Sequence, residues 1–139
     1  MGLTELDGTL SLGKGNDTPE SVGILALAFL GDAVYEQFIR HKLLNSGMVK
    51  TAALSEAAST LACAAKQAEL AHRIEPFLTV EESLVLKRGR NAKTKHQPRG
   101  DTLHYRWATG LEALLGYLSH HGQIERLNQI LNELWQMRG

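Results

Sequence analysis

The chain has 139 residues, no net charge and a hydrophobic share of 43%, which predicts one soluble globular domain. It has no apolar run near the roughly 20 residues of a membrane span and no signal-peptide pattern. Its one cysteine, Cys63, excludes an intrachain disulfide, so we expect a cytoplasmic protein. The histidines do not show zinc-finger spacing with that cysteine, so a structural zinc site is not expected.

The predicted elements begin with a tail and two helices. Residues 1–18 lack apolar periodicity and predict a flexible tail. Thr18-Pro19 predicts the start of a helix that ends near Asn45. The alanine-rich segment 51–75 predicts a second helix, which Pro76 ends.

The second half of the chain predicts three more helices. Thr79 and Glu82 predict a capping box for a short helix that Gly89 stops. Residues 90–100 predict a loop, because they lack apolar periodicity. Asp101 or Thr102 then caps a helix to about His120, and His121-Gly122 turns the chain. An amphipathic final helix follows, with its apolar stripe at Ile124, Leu127, Ile130, Leu131 and Leu134.

Charge is unevenly distributed along the chain. Residues 1–36 contain six acids and one base, and residues 87–106 contain seven bases and one acid. Such a basic segment is what phosphate binding requires. A solvated loop kept soluble by its charge has the same composition, so both interpretations stay open on composition alone.

Two apolar helical segments each contain a glycine and a carboxylate. One includes Gly31-Asp32, and the other has Glu112 one turn before Gly116, on the same helix face. A glycine inside a helix costs about 1 kcal/mol and indicates close packing. Two helices that cross at these glycines would bring Asp32 and Glu112 together, as a site for a hard divalent cation. From residue type alone, a buried Asp32 paired with an arginine is the more common arrangement.

The same segments resemble the ribonuclease III family. Residues 29–34 (FLGDAV) resemble its signature helix, and residues 111–116 (LEALLG) resemble its second catalytic helix. Further stretches at 35–41, 88–93 and 101–109 are similar to the Mini-III ribonucleases, a branch that has the catalytic domain without a double-stranded-RNA-binding domain. The resemblance covers about residues 19–135, with the motifs in the same order.

The resemblance implies an all-α, ribonuclease III-like catalytic domain over residues 19–139, assembled as a two-fold homodimer. It implies an endoribonuclease that uses Mg²⁺ to hydrolyse double-stranded RNA, with the large-subunit (23S) ribosomal RNA precursor as substrate. Asp32 and Glu112 take the catalytic, metal-binding positions. Glu36, one turn beyond Asp32, is a further candidate ligand, or else a partner of Arg40.

The chain departs from the broader family at two positions. Ala28 and Thr109 stand where that family has carboxylates, and the Mini-III branch resembles this chain in both departures. The number of metal ions per site therefore stays open.

The resemblance also identifies the basic segment as the RNA-binding surface. A duplex displays mainly its phosphates and 2′-hydroxyls, so the predicted RNA-binding residues are Lys87, Arg88, Arg90, Asn91, Lys93, Lys95, Arg99 and Arg106. The predicted dimer contacts are Phe29, Leu30, Val34 and Phe38. Two alternatives are a catalytically silent ribonuclease III-like scaffold for RNA or ribosome assembly, and a helical dimerisation module with no RNA role.

Overall fold

The computed structural model describes residues 22–93 and 102–139, and every regular element in those residues is helical. The all-α prediction is therefore confirmed. None of the helices in these two ranges combines the length and apolarity that crossing a membrane requires. The elements are α1 (Ile24–Asn45), α2 (Thr51–Ala62), α3 (Ala64–Ile74), a 3-10 turn (Glu75–Phe77), α4 (Val80–Asn91), α5 (Thr102–His120) and α6 (Ile124–Met137).

Helix α5 is the centre of the fold. Every residue from Ala108 to Leu118 except Glu112 is buried, as expected of a helix that is apolar on all sides. Helices α1, α3 and α4 pack against it, and α6 contacts both α3 and α5. Glu112 is therefore the one partly exposed side chain within the buried part of the central helix.

Helices α4 and α5 approach closely because glycines meet at their crossing. A Cβ on Gly110 would lie 2.6 Å from the carbonyl oxygen of Leu86, and a Cβ on Gly89 would lie 2.9 Å from the Cα of Gly110. The prediction that Gly89 stops this helix is wrong, since α4 continues to Asn91. The glycine is there for interhelical packing and does not end the helix.

The prediction of a single helix over the alanine-rich segment 51–75 is also wrong. The backbone at Cys63 is extended (φ −68°, ψ 156°) and separates α2 from α3. Carbonyls at the end of a helix lack intrahelical partners, and two side chains supply donors here. The Tyr35 hydroxyl donates to the Leu61 carbonyl (2.7 Å), and the Gln67 side-chain amide donates to the Ala62 carbonyl (2.8 Å).

Helix α1 begins at Ile24, with Gly23 as its N-cap. The predicted start at Thr18-Pro19 lies outside the described residues, but the helix predicted from there to Asn45 is not continuous, because the non-helical Gly23 precedes α1. The predicted tail over residues 1–18 lies outside the described residues. The same is true of residues 94–101, which hold most of the predicted loop.

The predicted helix ends near Asn45 and His120 are confirmed. Gly47 (φ 94°) and Gly122 (φ 72°) follow them in the left-handed conformation that glycine adopts most readily. Helix α6 buries all of its predicted apolar stripe except Ile124, which is exposed.

The predicted capping box of α4 is confirmed and also ties α4 to α6. The Glu82 carboxylate accepts from the Thr79 backbone N–H (2.9 Å), and the Thr79 hydroxyl accepts from the Glu82 N–H (3.1 Å). The same carboxylate accepts two hydrogen bonds from Arg126, at 2.8 and 2.9 Å. Hydrogen bonding to Arg126 holds the pKa of Glu82 below its ordinary value.

Candidate active site

The crossing of α1 and α5 brings the two predicted carboxylates together. A Cβ on Gly31 would overlap the backbone carbonyl of Glu112, and a Cβ on Gly116 would overlap that of Leu27. The two backbones are therefore in direct contact, as the glycine spacing predicts. Asp32, next to Gly31, lies exposed on α1 opposite the partly exposed Glu112 of α5.

The two carboxyl groups interact strongly. Burial, followed by the negative charge of Asp32, raises the pKa of Glu112 to about 8. A hydrogen bond with Asp32 and the charge of Glu36 act in the same direction, whereas a hydrogen bond from Gln67 lowers the pKa. Burial and the neighbouring charge of Asp32 therefore both favour the protonated form of Glu112.

This pair fits a hard divalent cation. Carboxylate oxygens are the ligands that Mg²⁺ prefers, and Mg²⁺ commonly uses one or two of them together with water and substrate phosphates. A cation bound between Asp32 and Glu112 would offset the repulsion between the two carboxylates and favour the ionised form of Glu112. Within residues 22–93 and 102–139, no group of three or more His, Cys, Asp and Glu side chains is arranged to hold a metal.

Glu36 lies near the pair but has a different partner. Its carboxylate accepts a hydrogen bond from the Arg40 guanidinium at 3.1 Å. This is the i, i+4 pairing that the sequence offered as the alternative to metal binding. Both residues also line a cavity of about 350 Å³ between α1 and α2. A metal role for Glu36 stays a prediction.

Two neighbours of the carboxylate pair were not identified from the sequence. Gln67 is buried beside Glu112, and its Oε1 atom has no hydrogen-bond partner within the described part of the chain. An unpaired buried acceptor costs about 1–3 kcal/mol. Tyr35 is also buried, which raises the pKa of its phenol. The sequence gives one signal that Gln67 and Tyr35 could contribute to the site: each is a large polar residue in an apolar or alanine-rich helix.

The two departures from the broader family pattern do not add acidic ligands. Ala28 is buried in α1. Thr109 is buried in α5, and its hydroxyl donates to the carbonyl of Tyr105 at 2.9 Å, within its own helix. The Thr109 hydroxyl is therefore engaged with the helix backbone.

Part of the predicted RNA-binding set surrounds a cleft between the end of α4 and the beginning of α5. This basic cleft has a volume of about 230 Å³ and is lined by Gly89, Arg90, Ala92, Lys93, Tyr105, Arg106 and Thr109. The Arg90 guanidinium lies 4.9 Å from the ring centroid of Trp107 and donates to the Asn91 side chain at 3.0 Å.

The other predicted RNA-binding residues are distributed differently. Lys87 does not line the cleft and lies 4.0 Å from the carboxylate of Glu75. Arg88 is exposed on α4. Lys95 and Arg99 lie outside the described residues. The structure therefore brings together three of the predicted cations, Arg90, Lys93 and Arg106.

The basic cleft and the carboxylate pair are adjacent along α5. Thr109, which lines the cleft, precedes Glu112 by three residues, and residues with this spacing lie on the same helix face. The cleft residue Thr109 and the carboxylate Glu112 therefore share one face of α5.

Comparison with known proteins identifies the class to which this fold and site belong. Residues 25–123 match the Ribonuclease III domain family. The chain therefore belongs to the ribonuclease III family and is an endoribonuclease.

Individual relatives indicate which branch of the family this chain is similar to. The chain is 44% identical over 114 residues to Mini-ribonuclease 3 from Symbiobacterium thermophilum, covering 81% of this chain and 88% of that protein. It is 42% identical over 120 residues to Mini-ribonuclease 3 from Desulfitobacterium hafniense, covering 86% and 76%. A crystal structure of a Fusobacterium nucleatum protein matches with a TM-score of 0.77 at 30% identity, covering 87% of this chain and 98% of that one. The predicted resemblance to the Mini-III branch is thus confirmed.

Proposed function

We propose that this endoribonuclease uses Mg²⁺, held by Asp32 and Glu112, to hydrolyse phosphodiester bonds in double-stranded RNA. The observation that carries the proposal is the glycine crossing of α1 and α5, which brings Asp32 close enough to Glu112 for its charge, together with burial, to raise the pKa of Glu112. If the two carboxylates had only a structural role, the protein would be more stable with a neutral side chain in place of one of them, since like charges in contact are unfavourable.

The two carboxylates have different roles in this proposal. When bound, Mg²⁺ supplies an activated water and stabilises charge on the leaving oxygen. Asp32 is exposed and is the ligand nearer to solvent and substrate. Glu112, whose backbone lies against Gly31 of α1, would, in its ionised form, hold the ion. Glu36 contributes negative charge while it stays paired with Arg40.

The basic cleft supports a duplex substrate. Duplex RNA is recognised mainly through its phosphates and 2′-hydroxyls, and Arg90, Lys93 and Arg106 offer three cations in one concave surface. The other predicted contacts, Lys87, Arg88, Asn91, Lys95 and Arg99, stay part of the proposed RNA-binding set. By its similarity to the Mini-ribonuclease 3 proteins, we propose the large-subunit ribosomal RNA precursor as substrate and the cytoplasm as location.

A two-fold homodimer is part of the proposal. Phe29 on α1 is 83% exposed, and Leu25, one turn earlier, is also exposed. A second copy related by a two-fold axis would cover this face of α1 and supply a second site for the other RNA strand. The remaining predicted dimer contacts are less available, since Leu30, Val34 and Phe38 are half-buried and the last two pack against the core. We assign residues 19–139 to this catalytic domain and residues 1–18 to a tail.

The test is cleavage of a labelled RNA duplex with Mg²⁺, and with the ion removed by a chelator. We expect Asp32→Asn and Glu112→Gln each to lower the cleavage rate by a factor of at least about 10², since each removes a charged ligand worth several kcal/mol at the transition state. Glu56→Gln, an exposed acid on α2, is the matched control and should cleave normally.

Several outcomes would contradict this proposal. Near-normal cleavage by a folded Asp32→Asn or Glu112→Gln variant would remove that residue from the site. Binding of the duplex without cleavage by the unmodified chain, at any Mg²⁺ concentration, would favour the catalytically silent scaffold. Cleavage that persists in the chelator would remove the metal from the proposal.

A further inference from the structure

Gln67 is held in one orientation beside the candidate metal site. Its side chain is 3% exposed, on a helix that packs against α5. Nε2 donates to the Ala62 carbonyl at 2.8 Å, and hydrogen bonding from the Gln67 side chain lowers the pKa of the Glu112 carboxyl. Because a backbone carbonyl can only accept, the amide nitrogen has to face Ala62, which fixes the position of Oε1.

The oxygen of this amide is the unexplained atom. Oε1 is enclosed and has no hydrogen-bond partner within residues 22–93 and 102–139. A buried acceptor of this kind in a native protein requires an explanation outside the ordinary hydrogen bonds of the fold. A hydrated divalent ion carries such donors, since Mg²⁺ loses its waters reluctantly.

We propose that Gln67 is a positioning residue for the metal site. Nε2 orients the Glu112 carboxylate, and Oε1 accepts a hydrogen bond from a water of the ion's hydration shell. The inference rests on the proposed function in one respect, namely that Asp32 and Glu112 hold a divalent ion. Ligating carboxylates are commonly fixed by outer hydrogen bonds of this type, and their loss lowers metal affinity by about 10- to 100-fold.

The experiment measures Mn²⁺ binding to the full chain without RNA, from the electron paramagnetic resonance signal of the free ion. In Gln67→Met, the unbranched side chain keeps its bulk but loses both the donor and the acceptor. We expect the Kd for Mn²⁺ to rise about 10- to 100-fold. The Mg²⁺ concentration for half-maximal cleavage should rise in parallel, while the rate at saturating Mg²⁺ changes much less.

Tyr35→Phe is the matched control. It also removes a side-chain hydrogen bond to a carbonyl at the break before α3, but the single hydroxyl of Tyr35 is directed at Leu61. Its Mn²⁺ affinity should stay within about threefold of the original chain, a small change beside the loss expected at an outer hydrogen bond. A Kd that rises equally in Gln67→Met and Tyr35→Phe, or in neither, would overturn the positioning role.

A milder variant covers the case in which Gln67→Met does not fold. Gln67→Asn retains an amide that is one methylene shorter, so it should bind Mn²⁺ more weakly than the original chain. Unchanged affinity in a folded Gln67→Asn protein would also overturn the inference. Failure of the proposed function gives a different result: the original chain itself binds no Mn²⁺ and cleaves no duplex.

Discussion

The raised pKa of Glu112 follows from its position on α5. It is the one partly exposed residue in an otherwise buried stretch, and it faces the acids Asp32 and Glu36 and the amide of Gln67. Its pKa rises from an ordinary value of 4.5 to about 8, chiefly through burial. Between these two pH values the folded protein keeps a proton that the unfolded chain has released, so folding is linked to proton binding.

Stability of the metal-free protein should therefore depend on pH through this residue. A raised carboxyl pKa contributes stability that is complete below pH 4.5 and is lost as the pH rises through about 8. We expect the free energy of unfolding to fall between pH 4.5 and about pH 8, and to fall less in Glu112→Gln, which cannot ionise. Urea unfolding in chelator measures both profiles, and parallel profiles would show that Glu112 has no such role.

The sequence predicts the acidic residues of the site better than it predicts their neighbours. Asp32 and Glu112 were identifiable because an acid and a glycine in an apolar helix are both costly without a specific partner. Gln67 was not, since a glutamine in an alanine-rich helix is ordinarily solvent-exposed. Its burial depends on the break at Cys63, which follows from tertiary contacts with Tyr35 and α5.

At the scale of elements, the crossing of α1 and α5 depends on glycine. In Gly31→Ala, the added methyl group would meet the backbone of Glu112, with the nitrogen of Gly116 only 2.9 Å away. Backbone atoms cannot rotate away as a side chain can, so the helices would have to separate. We expect a loss of at least about 3 kcal/mol in the free energy of unfolding, at the upper end for overpacking, and a loss of metal binding.

Gly23→Ala is the control for this substitution. Gly23 precedes the same helix, and nothing lies within 4 Å of the position of its Cβ. Only the cost of alanine at an N-cap applies, about 1 kcal/mol or less. Equal stability losses in Gly31→Ala and Gly23→Ala, measured by urea unfolding, would mean that the crossing tolerates a methyl group.

Glycine and alanine also explain which elements the sequence misassigns. Gly89 resembles a helix stop by residue type, and only its contact with Gly110 shows that it lies within α4. The alanine-rich segment favours continuous helix by propensity, but the chain breaks at Cys63, where Tyr35 of α1 binds the Leu61 carbonyl and Gln67 binds the Ala62 carbonyl. The capping box of α4 and the apolar stripe of α6 were predictable because both signals are local in sequence.

At the scale of the whole molecule, the exposed face of α1 predicts the assembly. Burying one phenylalanine contributes about 2 kcal/mol, and a two-fold interface buries Phe29 of both copies. Phe29→Ser should therefore raise the dimer dissociation constant about a thousandfold, as measured by sedimentation. Val49→Ser, where the valine is 81% exposed between α1 and α2, should leave it unchanged. A monomeric original chain that still cuts both strands would contradict the dimer.

RNA affinity should depend on salt through the basic segment around the cleft. Replacing Lys93, Lys95 and Arg99 by alanine removes three cations, of which Lys93 lines the cleft and the other two follow it in the sequence. If each contacts a phosphate, the slope of log K against log salt should decrease by roughly one per residue. The dissociation constant for a duplex should rise, while the free energy of unfolding should change by less than about 0.5 kcal/mol, the size we expect for charged residues outside the core.

A second triple variant separates phosphate contacts from a general effect of net charge. It replaces Lys42, Lys50 and Arg73 by alanine, none of which lines the cleft, and it changes the net charge by the same amount. Diffuse attraction to a polyanion depends on the total charge, so it would weaken binding similarly in both variants. Direct contacts near α4 and α5 would reduce the salt slope in the first variant alone. Equal salt slopes in the two variants would contradict the assignment of RNA binding to the basic cleft. Lys93, Lys95 and Arg99 would then contribute no more phosphate contacts than Lys42, Lys50 and Arg73.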